Sequence, residues 1–224
     1  MKIVAVVPAW NEEKTIGQVL DGIRPYVDAA VVVDDGSDDR TGLIARDRGV
    51  SLVRHAVNRG LGAALKTGIA AALALELGAD VIFTFDADGQ HASEDIPDVI
   101  RPIVEGAADL VIGTRLADPK GMPIRRQLAN RAGNAATRAL FGVRVSDSQS
   151  GFRALSRDAA RRLELKTDRM EISSEILAEA ARLGFRIQEV PIRSVYTAYS
   201  LSKGQSFVVG LKTLGRLMLH RARQ

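Results

Sequence analysis

Short apolar runs rich in β-branched residues alternate along this chain with stretches of helical periodicity, and this alternation restricts the possible folds more than any other feature. The predicted strands are residues 3–7, 30–33, 51–54, 81–86, 109–113 and 186–191. The predicted helices include residues 94–105, 125–140, 156–163 and 171–183, and residues 147–153 are expected to form a polar turn. Asn11 and Ser93 are expected to cap helix starts, and Gly184 a helix end. Strands alternating with helices predict an α/β fold with a doubly wound, Rossmann-like and mostly parallel sheet flanked by helices.

Polar residues follow several predicted strands at the point where each strand ends. They are Asn11-Glu12, Asp34-Asp35, Asn58 with its neighbouring glycines, and Asp86-Ala87-Asp88. The carboxyl ends of parallel strands meet at one rim of an open α/β sheet, where ligands bind. Turn chemistry explains part of the pattern, because Asp, Asn and Gly are common turn residues. Their recurrence in four loops nevertheless favours a functional site at this rim.

Asp86 and Asp88 are the strongest candidates for metal binding. Residues i and i+2 of an extended chain point to the same side, so both carboxylates are expected to face one point beyond the strand. Two adjacent carboxylates repel each other unless a positive charge lies between them. Mg²⁺ or Mn²⁺ is the natural candidate, and such ions usually also bind substrate phosphates. The alternative is a solvated acidic turn, which the other polar loops make less attractive.

Composition excludes several classes of protein and site. The chain of 224 residues has no cysteine, which excludes a disulfide framework, thiolate catalysis and zinc–thiolate sites. A hydrophobic fraction of 46% with mixed charge indicates a globular protein. The apolar run at residues 3–7 is too short for a signal peptide, and the stretch 61–77 contains Lys66 and Glu76, so we expect a buried helix there and no transmembrane segment. These features fit a cytoplasmic protein.

Positive charge is concentrated at the end of the chain. The net charge is +4, and no acidic residue follows Glu189. This asymmetry suggests a polyanionic partner, which could be a phosphate, a nucleic acid or an anionic membrane. We expect residues 1–200 to form a single domain and residues 201–224 a basic amphipathic helix. That helix could pack on the domain, which its pattern alone favours, or lie at a lipid surface.

With these motifs collected, the chain resembles glycosyltransferase family 2, which has the GT-A fold, and most of all its dolichol-phosphate mannose synthase group of polyprenyl-phosphate glycosyltransferases. The resemblance covers nearly the whole chain and depends on the order and spacing of several short motifs. These are residues 7–12, 33–37, 58–60, 86–91, 113–115, 150–153, 189–191 and 202–203.

The resemblance implies a role for each matching position. The nucleotide of a sugar-nucleotide donor would be held by Pro8, Ala9, Trp10, Glu12, Asp35 and Asp86. The metal and the donor diphosphate would meet Asp86, Asp88 and Gln90, and the phosphates would meet Arg115 and Arg126. Ser202 and Lys203 would help to close the site over the acceptor. Position 10 is commonly Tyr in this group; Trp10 can still stack on a base, but it lacks the phenol hydroxyl.

The implied reaction is inverting transfer of a sugar to a polyprenyl phosphate, dolichyl or undecaprenyl. An alcohol acceptor would need a base, for which Asp147 is the candidate, although it could equally be a turn residue. A phosphate monoester has a second pKa of about 6, so it is already largely anionic at neutral pH and needs arginines more than a base. The many arginines of the second half favour the phosphate.

Two other functions remain open at this stage. The chain could be a family 2 transferase that acts on a sugar or glycolipid hydroxyl, or a non-catalytic module that binds nucleotides. Nucleic acid is not the expected partner, because Asp86 and Asp88 would repel a phosphate backbone and no aromatic-rich basic strand is present. A polyprenyl acceptor implies peripheral contact with the cytoplasmic face of a membrane, or a membrane-protein partner.

Overall fold

The computed structural model describes residues 1–74, 77–116 and 124–195, and in residues 125 and 126 the backbone only. The expected C-terminal helix, with Ser202 and Lys203, lies outside the described residues. Within these ranges no helix combines the length and the apolar character needed to cross a membrane.

Seven strands and seven α-helices alternate through most of the described chain. The strands are β1 (Ile3–Ala9), β2 (Ala29–Asp34), β3 (Ser51–Arg54), β4 (Val81–Thr84), β5 (Leu110–Thr114), β6 (Arg153–Ser156) and β7 (Ile187–Pro191). The helices are α1 (Ile16–Ile23), α2 (Thr41–Asp47), α3 (Leu61–Leu73), α4 (Ile96–Val104), α5 (Ile124–Phe141), α6 (Arg157–Arg162) and α7 (Ile172–Arg182). Two short 3₁₀ helices, Arg24–Tyr26 and Ser93–Asp95, complete the set.

The strands form one sheet in the order β3-β2-β1-β4-β6-β5-β7. All neighbours pair in parallel except β6, which is antiparallel to both β4 and β5. The predicted α/β class with a mostly parallel sheet is therefore confirmed. The prediction missed β6, because its four residues include an arginine and no β-branched side chain, so its strand character comes from pairing on both sides.

Helices cover both faces of the sheet, and each face has its own core. Alternate residues of β1 point to opposite faces, with Ala5 and Val7 in one cluster and Val4 and Val6 in the other. The first cluster is closed by α1 and α4, and the second by α3 and α7. The central strands are thus buried on both faces, as their largely apolar sequences indicate, whereas the edge strands β3 and β7 are partly exposed.

Two of the expected helix caps are wrong. Helix α1 begins at Ile16, and Asn11 instead has a φ of 54° in the preceding loop. Its backbone N–H donates to Ser37 Oγ (2.9 Å) and its side-chain oxygen accepts from the Asp38 N–H (2.9 Å), which joins the β1–α1 and β2–α2 loops. Ser93 is the first residue of a 3₁₀ helix ahead of α4, and Ala92 occupies the N-cap position of that helix. Gly184, with φ +70°, ends α7 as expected.

Helix α3 approaches the sheet closely at a glycine, which gives a test of the packing. A β-carbon on Gly68 would overlap Val6 Cγ1 and lie 3.2 Å from Val33 Cγ2, and both valines are fully buried. Gly68→Ala is therefore expected to lower the free energy of unfolding by about 1–2 kcal/mol, since overpacking outweighs the better helix propensity of Ala. Urea denaturation measures this difference.

Gly22→Ala is the matched control. Gly22 also lies in a helix, but its β-carbon would meet only the flexible side chain of Ser93, at 3.1 Å from Oγ. Its stability should equal or slightly exceed that of the wild type. Equal stability of the two variants would contradict the close packing of α3 on β1.

Candidate active site

The carboxyl ends of β1, β2, β4 and β5 bring the predicted donor residues to one rim of the sheet. Pro8 and Ala9 end β1, and Trp10 follows with 51% of its surface exposed. Glu12 is buried, its backbone N–H donates to Thr41 Oγ1 (2.8 Å), and its side chain accepts from Thr15 Oγ1 (3.1 Å). An exposed indole beside a fixed carboxylate suits a nucleoside, but the donor roles of these residues stay predictions.

Asp35 is held by a network that the sequence analysis did not foresee. This buried carboxylate lies 2.7 Å from His55 Nδ1 and accepts from the backbone N–H groups of Arg59 (3.0 Å) and Gly60 (2.7 Å). His55 Nε2 in turn lies 3.0 Å from Thr67 Oγ1. The glycine loop before α3 is thereby fixed against the end of β2. The only signal for His55 in the sequence is its place directly after β3.

Asp86 and Asp88 lie in a turn beyond β4, which ends at Thr84, so the extended geometry expected for them is wrong. Asp86 Oδ2 is 2.9 Å from His91 Nε2. Asp88 Oδ1 accepts from the Gln90 backbone N–H (3.0 Å), and its Oδ2 accepts a short hydrogen bond from the Gln90 side-chain amide. The turn nevertheless keeps the two acids close, which their pKa shifts reflect.

The two carboxylates differ in how readily they ionise. Burial and the nearby negative charge of Asp86 raise the pKa of Asp88, and Glu12 adds to this effect. Burial acts in the same direction on Asp86, but the hydrogen bond from His91 and the positive charges of Arg115 and Arg153 outweigh it and lower the pKa. An ionised Asp86 therefore lies beside a carboxylate that a cation would help to ionise.

The acidic turn fits a hard divalent cation that also binds phosphate. Among the described residues no group of three or more His, Cys, Asp or Glu side chains is arranged to hold a metal alone. Mg²⁺ commonly uses one or two carboxylates and completes its shell with water and substrate phosphates. Asp86 and Asp88 are such a pair. Gln90 as a third ligand stays a prediction, since its amide is bonded to Asp88.

Arg115 and Asp147 form a paired unit near this acidic turn, since the charge of Arg115 lowers the pKa of Asp86. Asp147 is completely buried and accepts from Arg115 Nε (2.7 Å), Nη2 (2.8 Å) and the Arg115 backbone N–H (3.1 Å). Burial opposes the charge on Asp147, but Arg115 more than compensates and lowers its pKa. Both oxygens therefore hold the guanidinium in place, which favours a positioning role. The role of a base for Asp147 stays a prediction.

Arg153 is a second buried cation, for which the sequence analysis predicted no role. It is 3% exposed, and its Nη2 donates to the Ser148 carbonyl (2.8 Å). Burial lowers its pKa to about 10, against the opposing influence of Asp147 and Asp86. The signal in the sequence was its place in the motif at residues 150–153. The described residues place Arg126 in α5 without locating its side chain, so its phosphate contact stays a prediction.

The Asp147 pair makes stability depend on pH in a defined direction. The pKa of Asp147 is lower in the folded protein than its unfolded value of about 3.9, so the ionised group stabilises the fold above that pH. This contribution is lost as the pH falls through the folded pKa. Asp147→Asn, which leaves buried cations uncompensated, is expected to cost about 3 kcal/mol or more at pH 7, and less below about pH 4.

Urea denaturation of both proteins across this pH range measures the difference. Asp158→Asn is the control, because the side chain of Asp158 is 82% exposed and should change stability little at any pH. A deficit for Asp147→Asn that stayed constant down to pH 3 would contradict the assigned pKa direction.

Comparison with known proteins identifies relatives of similar length. The model of the family described as glycosyl transferase family 2 matches residues 4–164. The chain is 38% identical to a UDP-N-acetylglucosamine–dolichyl-phosphate N-acetylglucosaminyltransferase of Methanococcus voltae, over 97% of this chain and 95% of the relative. It is 32% identical to an undecaprenyl-phosphate mannosyltransferase of Micrococcus luteus, over 94% of this chain and 90% of the relative.

A solved structure has the same architecture. Glucosyl-3-phosphoglycerate synthase from Mycobacterium tuberculosis, in complex with Mn²⁺, UDP and glucosyl-3-phosphoglycerate, superposes with a TM-score of 0.75 at 25% identity. The match covers 98% of this chain and 79% of that one. The same enzyme has also been solved with Mg²⁺ and UDP.

Proposed function

The chain belongs to glycosyl transferase family 2, and we propose that it transfers a sugar from a nucleoside-diphosphate sugar to a polyprenyl phosphate, with inversion at the anomeric carbon. It is a glycosyltransferase with the GT-A fold. Enzymes with different acceptors share this family and this fold, so the acceptor is determined by the residues of the site.

The observation that carries the proposal is the arrangement of charge at the rim. Glu12, Asp86 and Asp88 form an acidic group, and Arg115, fixed by Asp147, is close enough to lower the pKa of Asp86. An acidic group suits a metal-bound diphosphate, and a guanidinium held in a fixed orientation suits phosphate oxygens. The two together match a reaction between a diphosphate donor and an anionic acceptor.

Each group has a distinct task in this reaction. Mg²⁺ or Mn²⁺ bound at Asp88 and Asp86 would neutralise the charge that develops on the departing diphosphate. Trp10 and Asp35 would hold the nucleoside, with Trp10 stacking on the base. Arg115 would contact phosphate through a guanidinium that Asp147 keeps oriented, and Arg126 would add a second contact.

The state of Asp147 supports a phosphate acceptor. A phosphate monoester has a second pKa of about 6 and can attack without losing a proton to the enzyme. The buried Asp147 has both oxygens bonded to Arg115, and its lowered pKa makes it a weak base. The names of the two sequence relatives, which specify dolichyl and undecaprenyl phosphate, point the same way.

A hydroxyl acceptor is the second candidate, because the similar solved structure is a synthase bound to phosphoglyceric acid. Transfer from radiolabelled donors to dolichyl phosphate, undecaprenyl phosphate and 3-phosphoglycerate compares the two directly. Labelled lipid phosphate alone supports the proposal. Labelled phosphoglycerate alone would overturn the lipid-phosphate proposal in favour of a hydroxyl acceptor. Binding of nucleotide without any transfer would favour a non-catalytic module.

Asp88→Asn tests the acidic turn. The variant keeps the volume of the side chain but loses its charge, so it should fold normally and lose transfer activity by at least about 100-fold. Its affinity for UDP in the presence of Mn²⁺ should fall as well. Asp158→Asn serves again as the exposed control and should retain wild-type activity. Wild-type transfer by Asp88→Asn with bound metal would contradict the role given to Asp88.

A membrane acceptor also predicts membrane contact, through the basic residues 201–224 of the sequence. Each basic residue near an anionic surface contributes about 1 kcal/mol, and salt weakens this attraction. We expect binding to anionic vesicles at low salt that decreases when Lys212, Arg216 and Arg223 are replaced by Gln. Sedimentation with anionic and neutral vesicles measures it. Protein that stays in the supernatant with both would contradict membrane docking and favour a membrane-protein partner or a soluble acceptor.

A further inference from the structure

The chain beyond β7 crosses the rim and joins the acidic turn. In this crossing segment, residues 192–195, the Ile192 N–H donates to the Thr114 carbonyl (3.0 Å) and the Val195 N–H to the Gln90 carbonyl (2.9 Å). His91 and Ser194 pair as an antiparallel bridge between them. Residues opposite each other in such a bridge carry their side chains on the same side, with β-carbons about 5 Å apart.

The His91 side chain is fixed on its other edges. It has no exposed surface, and its Nε2 is 2.9 Å from Asp86 Oδ2. Its ring centroid lies 5.4 Å from that of Phe85 and 5.6 Å from that of Phe152, so the imidazole is enclosed by two aromatic rings. The carboxylate of Asp86 also rests on Gly151, where a β-carbon would overlap both of its oxygens.

Two buried polar atoms on the bridge have no hydrogen-bond partner among the described residues. They are His91 Nδ1 and Ser194 Oγ, which belong to the two paired residues. A buried donor or acceptor left without a partner is unfavourable and rare in folded proteins. In a neutral imidazole that donates from Nε2 to a carboxylate, Nδ1 carries the lone pair, so it needs a donor, and a serine hydroxyl is one.

We propose that Ser194, His91 and Asp86 act as one hydrogen-bonded chain, in which the Ser194 hydroxyl donates to His91 Nδ1 and His91 Nε2–H holds the Asp86 carboxylate in position. The first bond requires the Ser194 hydroxyl to turn toward His91 Nδ1 across the bridge. His91 is then a positioning residue for the acidic turn. Because Ser194 belongs to the crossing segment, the His91 tautomer depends on that segment being in place. The proposal rests on the donor site proposed above, since it specifies how one of its carboxylates is oriented.

Nitrogen NMR of the imidazoles tests the chain without any ligand. The protein has three histidines, so His91→Gln identifies the signals of His91. We expect the tautomer protonated at Nε2, with an Nδ1 shift that reports an accepted hydrogen bond. Ser194→Ala should move that Nδ1 signal, while Ser194→Thr, which keeps the hydroxyl, should restore it. An Nδ1 signal unchanged by Ser194→Ala, or a ring protonated at Nδ1, would overturn the chain.

Calorimetric titration with UDP and with GDP in the presence of Mn²⁺, without acceptor, tests the positioning role. Loss of an outer partner of a metal-binding group typically costs about 10–100-fold in affinity, so His91→Phe should weaken binding by at least about 10-fold. His91→Gln, which can still donate to Asp86, should recover most of this loss. Ser194→Ala should show a smaller loss, and Ser173→Ala, a buried serine in α7, none.

The two measurements separate this inference from the proposed function. A wild type that binds neither nucleotide refutes the donor site, and the NMR result then still decides whether the chain exists. A wild type that binds, together with a folded His91→Phe variant of equal affinity, overturns the positioning role alone. If His91→Phe does not fold, the comparison of Ser194→Ala with Ser194→Thr in both assays decides.

Discussion

Buried negative charge is the constraint on which this rim depends. A carboxylate removed from water must be matched by a cation or by several N–H donors, and three acids of the site have such partners. Asp147 is matched by Arg115, Asp35 by His55 and two backbone amides, and Asp86 by His91. Asp88 differs, because it accepts hydrogen bonds only from Gln90 among the described residues, and burial and its neighbour Asp86 still raise its pKa. Among the described carboxylates of the site, Asp88 is therefore the one beside which additional positive charge is most favourable, and the metal ion proposed above would supply it.

The antiparallel strand β6 contributes to this balance through its direction. Parallel strands bring their carboxyl ends to the rim, whereas β6 brings its amino end, so Arg153 lies level with Thr84 and Ile112. The residues just before it, including Gly151, consequently lie beneath Asp86. Because β6 runs in the opposite direction, its first residues and not its last lie at the rim. They place the buried Arg153 there and bring the backbone of Gly151 close to Asp86.

Much of the fold follows from the sequence, because β1, β2, β4 and β5 are largely apolar and buried, and the partly exposed β3 and β7 still contain apolar, β-branched residues. β6 has no such apolar run, and it is a strand because it pairs with β4 on one side and β5 on the other. The same distinction applies to the site. The acids and Arg115 stand out as residue types at strand ends, but their pairing with the residues that orient them does not. His55 is 20 residues from Asp35, and Asp147 is 32 residues from Arg115. The local sequence around Asn11 is that of a helix N-cap, but its hydrogen-bond partners are Ser37 and Asp38 in the β2–α2 loop, so the prediction for it is wrong.

Gly151 shows how a site can constrain a residue that does no chemistry. Most glycines that a fold requires are required by their own backbone, as at Gly36, whose φ is +71°. Gly151 is required by its neighbour, because any side chain there would occupy the space of the Asp86 carboxylate. During sequence drift this position can therefore change only together with Asp86. We therefore expect substitution here to be tolerated as poorly as at an active-site residue, although glycine has no side chain and carries no charge.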